Sequence, residues 1–393
     1  MRLKDIAYYV GDSISSDLIE EDQYVTTDSL LQNKEGRILA SNLPPQPCSL
    51  THFMPGDVLI ANIRPYLKKV WKADIEGGCS KDVLVIRAID GHNPEYIYAL
   101  SLQDSFFENA MLGNKGTQMP RGDKDKIMDF PVFAHSKAEK QSIGNLIGEI
   151  QNKISLNTRM NAELEAMAKQ LYEYWFVQFD FPDENGNPYK SSGGEMVYNS
   201  TLKREIPAGW DNVFLSDIAN ITMGQSPDGS SYNEMGKGTV FYQGSTDFGI
   251  RFPSVRMYTT APSRFAKKGD ILMSVRAPVG DTNIANKDCC IGRGLSAINS
   301  KLGSISHLYY IIRDLKAKFD MLNAAGTTFG AITKDELYNM PVVKPSKDIL
   351  SKYEDLCSPI FDMQMTIGYE IDHLTHLRDS LLPMLMNGQV TVE

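Results

Sequence analysis

From Lys137 to Trp175, apolar residues recur at alternating steps of four and three: Ile143, Ile147, Ile150, Ile154, Leu164, Ala168, Leu171 and Trp175. Asn157 and Asn161 fill the two middle places of the series. Such a heptad seam predicts an amphipathic helix that packs against a second one. No proline interrupts it, although Gly144 and Gly148 each weaken it by about 1 kcal/mol relative to alanine. Fully wound, the stretch spans roughly 58 Å. Adding 210 to each number gives a second seam: Tyr353, Cys357, Ile360, Gln364, Ile367, Ile371, Leu374, Arg378, Leu381 and Leu385. The chain therefore holds two copies of one long helix. Ile147, Ile150, Ile154, Asn157 and Leu164 of the first are expected to pair with Ile360, Ile367, Ile371 and Leu374 of the second. Polar seam residues cost stability and fix register.

The repeat extends beyond the helices. Leu3-Lys4-Asp5-Ile6-Ala7 reappears as Leu215-Ser216-Asp217-Ile218-Ala219. The turn-then-strand pattern Gly56-Asp57-Val58-Leu59-Ile60 returns as Gly269-Asp270-Ile271-Leu272-Met273. Each strand leads to an arginine, Arg64 or Arg276, and a second apolar run follows at Val83 or Leu295. Helices are predicted over 94–112 and 304–322, then loops opening at Gly116-Thr117 and Gly326-Thr327. The fold class is α+β, with two similar units on two long helices that run antiparallel as a coiled coil about a pseudo-twofold. The expected boundaries are 1–135, a central helix over 136–181, a turn-rich linker over 182–209, a second unit over 210–343 and a terminal helix over 344–393.

Composition narrows the function. At 393 residues the chain holds two or more domains. Five cysteines without paired spacing suit a reducing cytoplasm. The net charge is −9, yet residues 213–341 carry 14 basic and 11 acidic side chains. A polyanion would need local patches or a basic partner. Catalytic signatures are missing. Asn187-Pro188-Tyr189 and Asn42-Leu43-Pro44-Pro45 each depart from a methyltransferase loop, Gly292-Arg293-Gly294 is too short to cradle phosphate, and no Walker lysine motif occurs. His373 and His376 lie three apart on a helix with no further ligands to make a metal site. The aromatic run Tyr172, Tyr174, Trp175, Phe176, Phe179 and Phe181 is expected to close the helix end against a globular unit.

Three stretches carry a resemblance: 171–182, Leu-Tyr-Glu-Tyr-Trp-Phe-Val-Gln-Phe-Asp-Phe-Pro; Ile206-Pro207-Ala208-Gly209-Trp210; and 381–388, Leu-Leu-Pro-Met-Leu-Met-Asn-Gly. With the duplication, they resemble the specificity (S) subunit of Type I restriction-modification systems over essentially the whole chain. The resemblance implies a non-catalytic subunit whose two α/β target-recognition domains each read half of a split double-stranded DNA target. The helices would set the unread spacer and hold two methyltransferase (M) subunits, which restriction/translocase (R) subunits would join. No cofactor or metal would be bound by this chain. AdoMet, ATP and Mg²⁺ would belong to the partners, and the complex would be cytoplasmic. The first unit, which opens at Leu3, would lean on a partner at its N-terminal edge. The alternatives are a self-contained DNA methyltransferase or nuclease with fused recognition domains, and a coiled-coil scaffold without nucleic acid.

Base reading needs local donors. The candidates are Arg64 and Arg276 at the strand ends, taken as equivalent positions, with Lys68, Lys69 and Lys72 beside the first. Arg251, Arg256 and Arg293 lie near the second, with Gln225, Ser226 and Gln243. The repeated loops add Thr117, Gln118, Thr327 and Thr328.

Overall fold

The computed structural model describes residues 1–112, 119–249, 251–324 and 330–392. The chain divides into two compact units. Unit 1 is Met1–Arg159 with Glu370–Glu393, and unit 2 is Met160–Tyr369. Both division points fall inside the long helices, Lys137–Tyr172 and Lys347–Met386. None of the described helices is long and apolar enough to cross a membrane.

The two units share a fold. Unit 1 has a four-stranded antiparallel sheet in the order Ala7–Tyr9, Val83–Ala88, Val58–Ala61, Val70–Lys72. Unit 2 repeats it as Ala219–Met223, Leu295–Ser300, Ile271–Ser274, Thr282–Ile284. In unit 1 the central strand Val58–Ala61 is apolar at every position because both faces are covered. Val58 and Ile60 join the core under the long helices, and Leu59 and Ala61 join the core against the second sheet. Successive strand side chains point to opposite faces, so a doubly covered strand reads as a continuous run.

The second sheets are related but extended at different edges. In unit 1, Gly77–Cys79 pairs parallel with Tyr24–Val25 and antiparallel with Ser49–Phe53. In unit 2, Cys289–Ile291 pairs parallel with Thr239–Tyr242 and antiparallel with Phe265–Ala266. Unit 1 then adds Ser13–Ser15 beyond Ser49–Phe53, whereas unit 2 adds Met257–Thr259 and Tyr232–Asn233 beyond Thr239–Tyr242.

Within each unit the long helices run antiparallel. In unit 1, Asn157 donates to Glu370 at 2.8 Å and Arg378 donates to Gln151 at 2.7 Å. Ile143 and Ile147 share a core with Leu382 and Leu385. In unit 2, Gln364 donates to Glu165 at 3.2 Å and Trp175 lies 5.7 Å from Tyr353. Of the nine seam residues named for pairing, Ile147, Ile150, Ile154, Asn157 and Ile367 are buried. Leu164, Ile360, Ile371 and Leu374 are half-buried, and beside Ile360 it is Phe361 that is buried. Gly144 and Gly148 face the helix Pro94–Ser101. A Cβ at Gly144 would stand 2.8 Å from the Tyr96 nitrogen, and one at Gly148 would stand 2.7 Å from Glu95 Oε2. These glycines let two helices touch, which compensates for their poor propensity.

One expectation needs correction. The helix anticipated over 94–112 breaks into Pro94–Ser101 and Asp104–Ala110, while its counterpart Ile305–Ala324 is unbroken. Gln103 is extended at the break, and Asp104 opens the second helix facing Lys34 and Lys68. Residues 182–209 are turn-rich and mostly exposed, with only Ile206 and Pro207 buried. They include the hairpin Met196–Asn199 with Arg204–Pro207, and just outside them Phe181 stacks on Trp210 at 4.9 Å. Trp175, Phe176, Phe179 and Phe181 are buried in that junction, while Tyr174 stays exposed.

Candidate nucleic-acid interface

In unit 2, four backbone segments converge at the end of the central strand. The turn Gly292-Arg293-Gly294 is tied to its neighbours on three sides. Gly292 N–H donates to Tyr242 O at 2.8 Å and Gly294 N–H to Gln243 O at 3.1 Å. Val275 N–H donates to Gly294 O at 2.9 Å, and Arg293 N–H to Ser226 Oγ at 3.2 Å. A Cβ on Gly294 would sit 2.5 Å from the Gln243 carbonyl. Here glycine is required by close backbone approach.

The convergence leaves a cavity of about 260 Å³ lined by Ser226, Gln243, Asp247, Arg256, Arg276 and Arg293, among others. Five sequence-derived candidates thus meet in one place. Arg276 and Arg293 are exposed and make no ion pair among the described residues. Arg256 pairs with Asp247 at 2.9 Å. Asp247 is buried, and burial raises its carboxyl pKa against the opposing pull of Arg256. Three arginines and one carboxylate lining the same cavity, with an amide and a hydroxyl beside them, can hold phosphate or the acceptor edge of guanine. Gln225 lies next to this cavity, with its N–H bonded to Ile291 O at 3.0 Å.

The remaining candidates are dispersed. Arg251 is only 7% exposed and sits against the long helices, where it pairs with Glu165 at 3.1 Å, so it is unavailable as a groove contact. Lys72 is paired with Glu95 and largely covered. Lys69 donates to the Thr27 carbonyl at 2.5 Å, and Lys68 pairs with Asp104 at 2.9 Å. Arg64 is exposed in a left-handed conformation (φ 52°), anchored by its N–H to Pro120 O at 2.8 Å. Thr117, Gln118, Thr327 and Thr328 lie outside the described residues.

The expected equivalence of Arg64 and Arg276 is off by one residue. Ala61 pairs with Val83, and Ser274 pairs with Leu295. Beyond them, Ile63 bridges Arg121 and Arg276 bridges Ala331. Arg276 therefore occupies the register of Ile63. The unit 1 counterpart of Gly292-Arg293-Gly294 is Ser80-Lys81-Asp82, which makes the matching bonds Ser80 N–H to Val25 O and Asn62 N–H to Asp82 O. Lys81 was not among the candidates, although the repeat offset at Val83 and Leu295 points to it. Arg121, paired with Asp82 at 3.1 Å, was also missed. The two sites share a scaffold but present different chemistry.

Comparisons with known proteins agree with this architecture. Residues 207–352 match the family described as Type I restriction modification DNA specificity domain. The Type I restriction enzyme MjaIX specificity subunit of Methanocaldococcus jannaschii is 26% identical over 100% of this chain and 93% of its own length. A putative type I restriction enzyme MjaX specificity subunit from the same organism is 33% identical over 63% of this chain, a match spanning 55% of that relative. The crystal structure of the Type-I restriction-modification system S subunit from M. genitalium shares the fold, with a TM-score of 0.60 at 15% identity over 98% of this chain and 95% of that one.

Proposed function

We propose that this chain is a type I restriction-modification specificity subunit, the non-catalytic subunit that selects a bipartite DNA target. Unit 1 reads one half-site and unit 2 the other, while the paired helices fix the unread gap. The observation that carries this reading is the repeated fold of the two units, each with a loop cluster at the end of its central strand. In unit 2 that cluster gathers Arg256, Arg276 and Arg293 around one cavity. In unit 1, Arg64, Lys81 and Arg121 stand on the matching loops. Phosphate contacts position such a protein, and side chains at base edges specify the sequence.

The chemistry is assigned to partners. The long helices expose apolar residues at seven-residue intervals outside their own seam: Met160, Met167 and Tyr174 on one, Leu356 and Met363 on the other. Such rows suit packing against further helices. They support the docking of two methyltransferase subunits, which would carry AdoMet and modify adenine. Restriction/translocase subunits using ATP and Mg²⁺ would join that complex in the cytoplasm. A self-contained methyltransferase or nuclease is disfavoured, because the family and the relatives above are specificity subunits. The test is methyl transfer from labelled AdoMet, with Mg²⁺ and mixed DNA. Transfer should require both this chain and the methyltransferase subunit; transfer or cleavage by this chain alone overturns the assignment.

A further inference from the structure

Residues 247–249 and 251–254 form the two arms of a short hairpin with one end at the cavity and the other inside the helix pair of unit 2. Its base is closed by Ser254 N–H donating to Asp247 O at 2.7 Å, and Phe248 bridges Pro253. Nearer the tip, Gly249 N–H donates to Phe252 O at 3.0 Å. Asp247 at the base lines the arginine cavity.

The tip carries Arg251 and Phe252. The Arg251 guanidinium is 7% exposed, 3.1 Å from Glu165 on the central helix. It lies over Phe361 of the C-terminal helix at 4.6 Å and over Tyr309 at 5.1 Å. Phe252 stacks on Tyr369 at 5.2 Å, over Gly368. A Cβ at Gly368 would overlap the Phe252 ring, so this helix position is kept bare for the hairpin. The Arg251 carbonyl also accepts from Ile284 N–H at 3.0 Å, which ties the tip to the central sheet.

A buried cation with Nε and Nη2 unpaired is a costly way to fill a core. Such groups are retained where they specify one arrangement among several. The geometry points to Arg251 and Phe252 as positioning residues: through the hairpin they fix the attitude of the unit 2 reading cavity against the long helices, and thereby the gap at which the second half-site is accepted. This rests on the DNA-specificity reading above. The two side chains touch no DNA; they act through the hairpin that carries Asp247.

The test is selection from a random duplex library by the full chain assembled with its methyltransferase subunit. The wild-type complex should return two motifs with one fixed gap. Arg251→Met should return the same two motifs with the gap spread to neighbouring lengths, the preference for the wild-type gap falling about tenfold. Gly368→Ala, which displaces Phe252 while improving helix propensity, should broaden the gap in the same way, and Arg251→Lys should restore part of the sharpness. A gap as sharp as wild type in Arg251→Met and Gly368→Ala overturns the inference, as does selective loss of the unit 2 motif. Should Arg251→Met fail to fold, the Gly368→Ala result decides alone. Failure of the wild type to return any bipartite motif sinks the DNA-specificity reading instead.

Discussion

At the residue scale, Arg276 and Arg293 differ from the other candidate cations in being exposed beside a cavity without an ion pair among the described residues. Arg276→Ala is expected to cost about 1–3 kcal/mol of discrimination at one base pair of the unit 2 half-site, measured by competition binding with single-substituted duplexes. Lys72→Ala should leave every single-base preference unchanged, because Lys72 is committed to Glu95. His307 offers a separate test. Burial depresses its pKa from 6.5 to about 3. The unfolded chain binds that proton below pH 6.5 and the folded chain does not, so this contribution is present above 6.5 and is lost as pH falls. The slope is about 1.4 kcal/mol per pH unit. Urea unfolding at pH 7 and pH 5.5 should therefore show a larger loss for wild type than for His307→Phe. Residue types such as Arg and Gln were legible as donors from the sequence. Their burial was not: Arg251 and Arg276 read alike in one dimension, and it is the hairpin carrying Arg251 into the helix pair that separates them.

At the element scale, the heptad seam was the clearest signal. Its steps of three and four predicted both long helices, because one buried stripe on a 3.6-residue helix leaves that spacing. Shorter elements were less legible. The break at Gln103 has no proline or glycine to mark it, and the lysines that meet Asp104 just after it are distant in sequence. The one-residue register difference between Arg64 and Arg276 is a strand-pairing property, which letter matching cannot resolve. Two consequences follow for the helices. Ile147 is fully buried beside Leu382, so Ile147→Ala should destabilise unit 1 by about 2–5 kcal/mol in urea unfolding. Asn161 is buried with Oδ1 unpaired. Asn161→Leu should raise the unfolding midpoint, by on the order of 1 kcal/mol in stability. A lowered midpoint would mean that the amide makes a bond which the leucine loses.

At the scale of the whole molecule, the duplication was legible because equivalent turns and strands carry related letters at a nearly constant offset. The lateral extension of each second sheet was not, since its edge strands lie in the segments where the copies diverge. If the helices set the unread gap, removing seven residues from each at facing positions, 152–158 and 370–376, keeps the seam in phase and leaves the seat of Phe252 at Gly368 and Tyr369 intact. It shortens each helix by about 10 Å, close to three base pairs at ~3.4 Å each. The most direct measurement is genome-wide mapping of methylated adenine in a host that expresses this chain with its methyltransferase subunit, first as wild type and then with both seven-residue deletions. The account predicts a two-part motif with a fixed gap in the first case, and the same two parts about three base pairs closer in the second. A continuous motif, or a gap unchanged by the deletions, would contradict it.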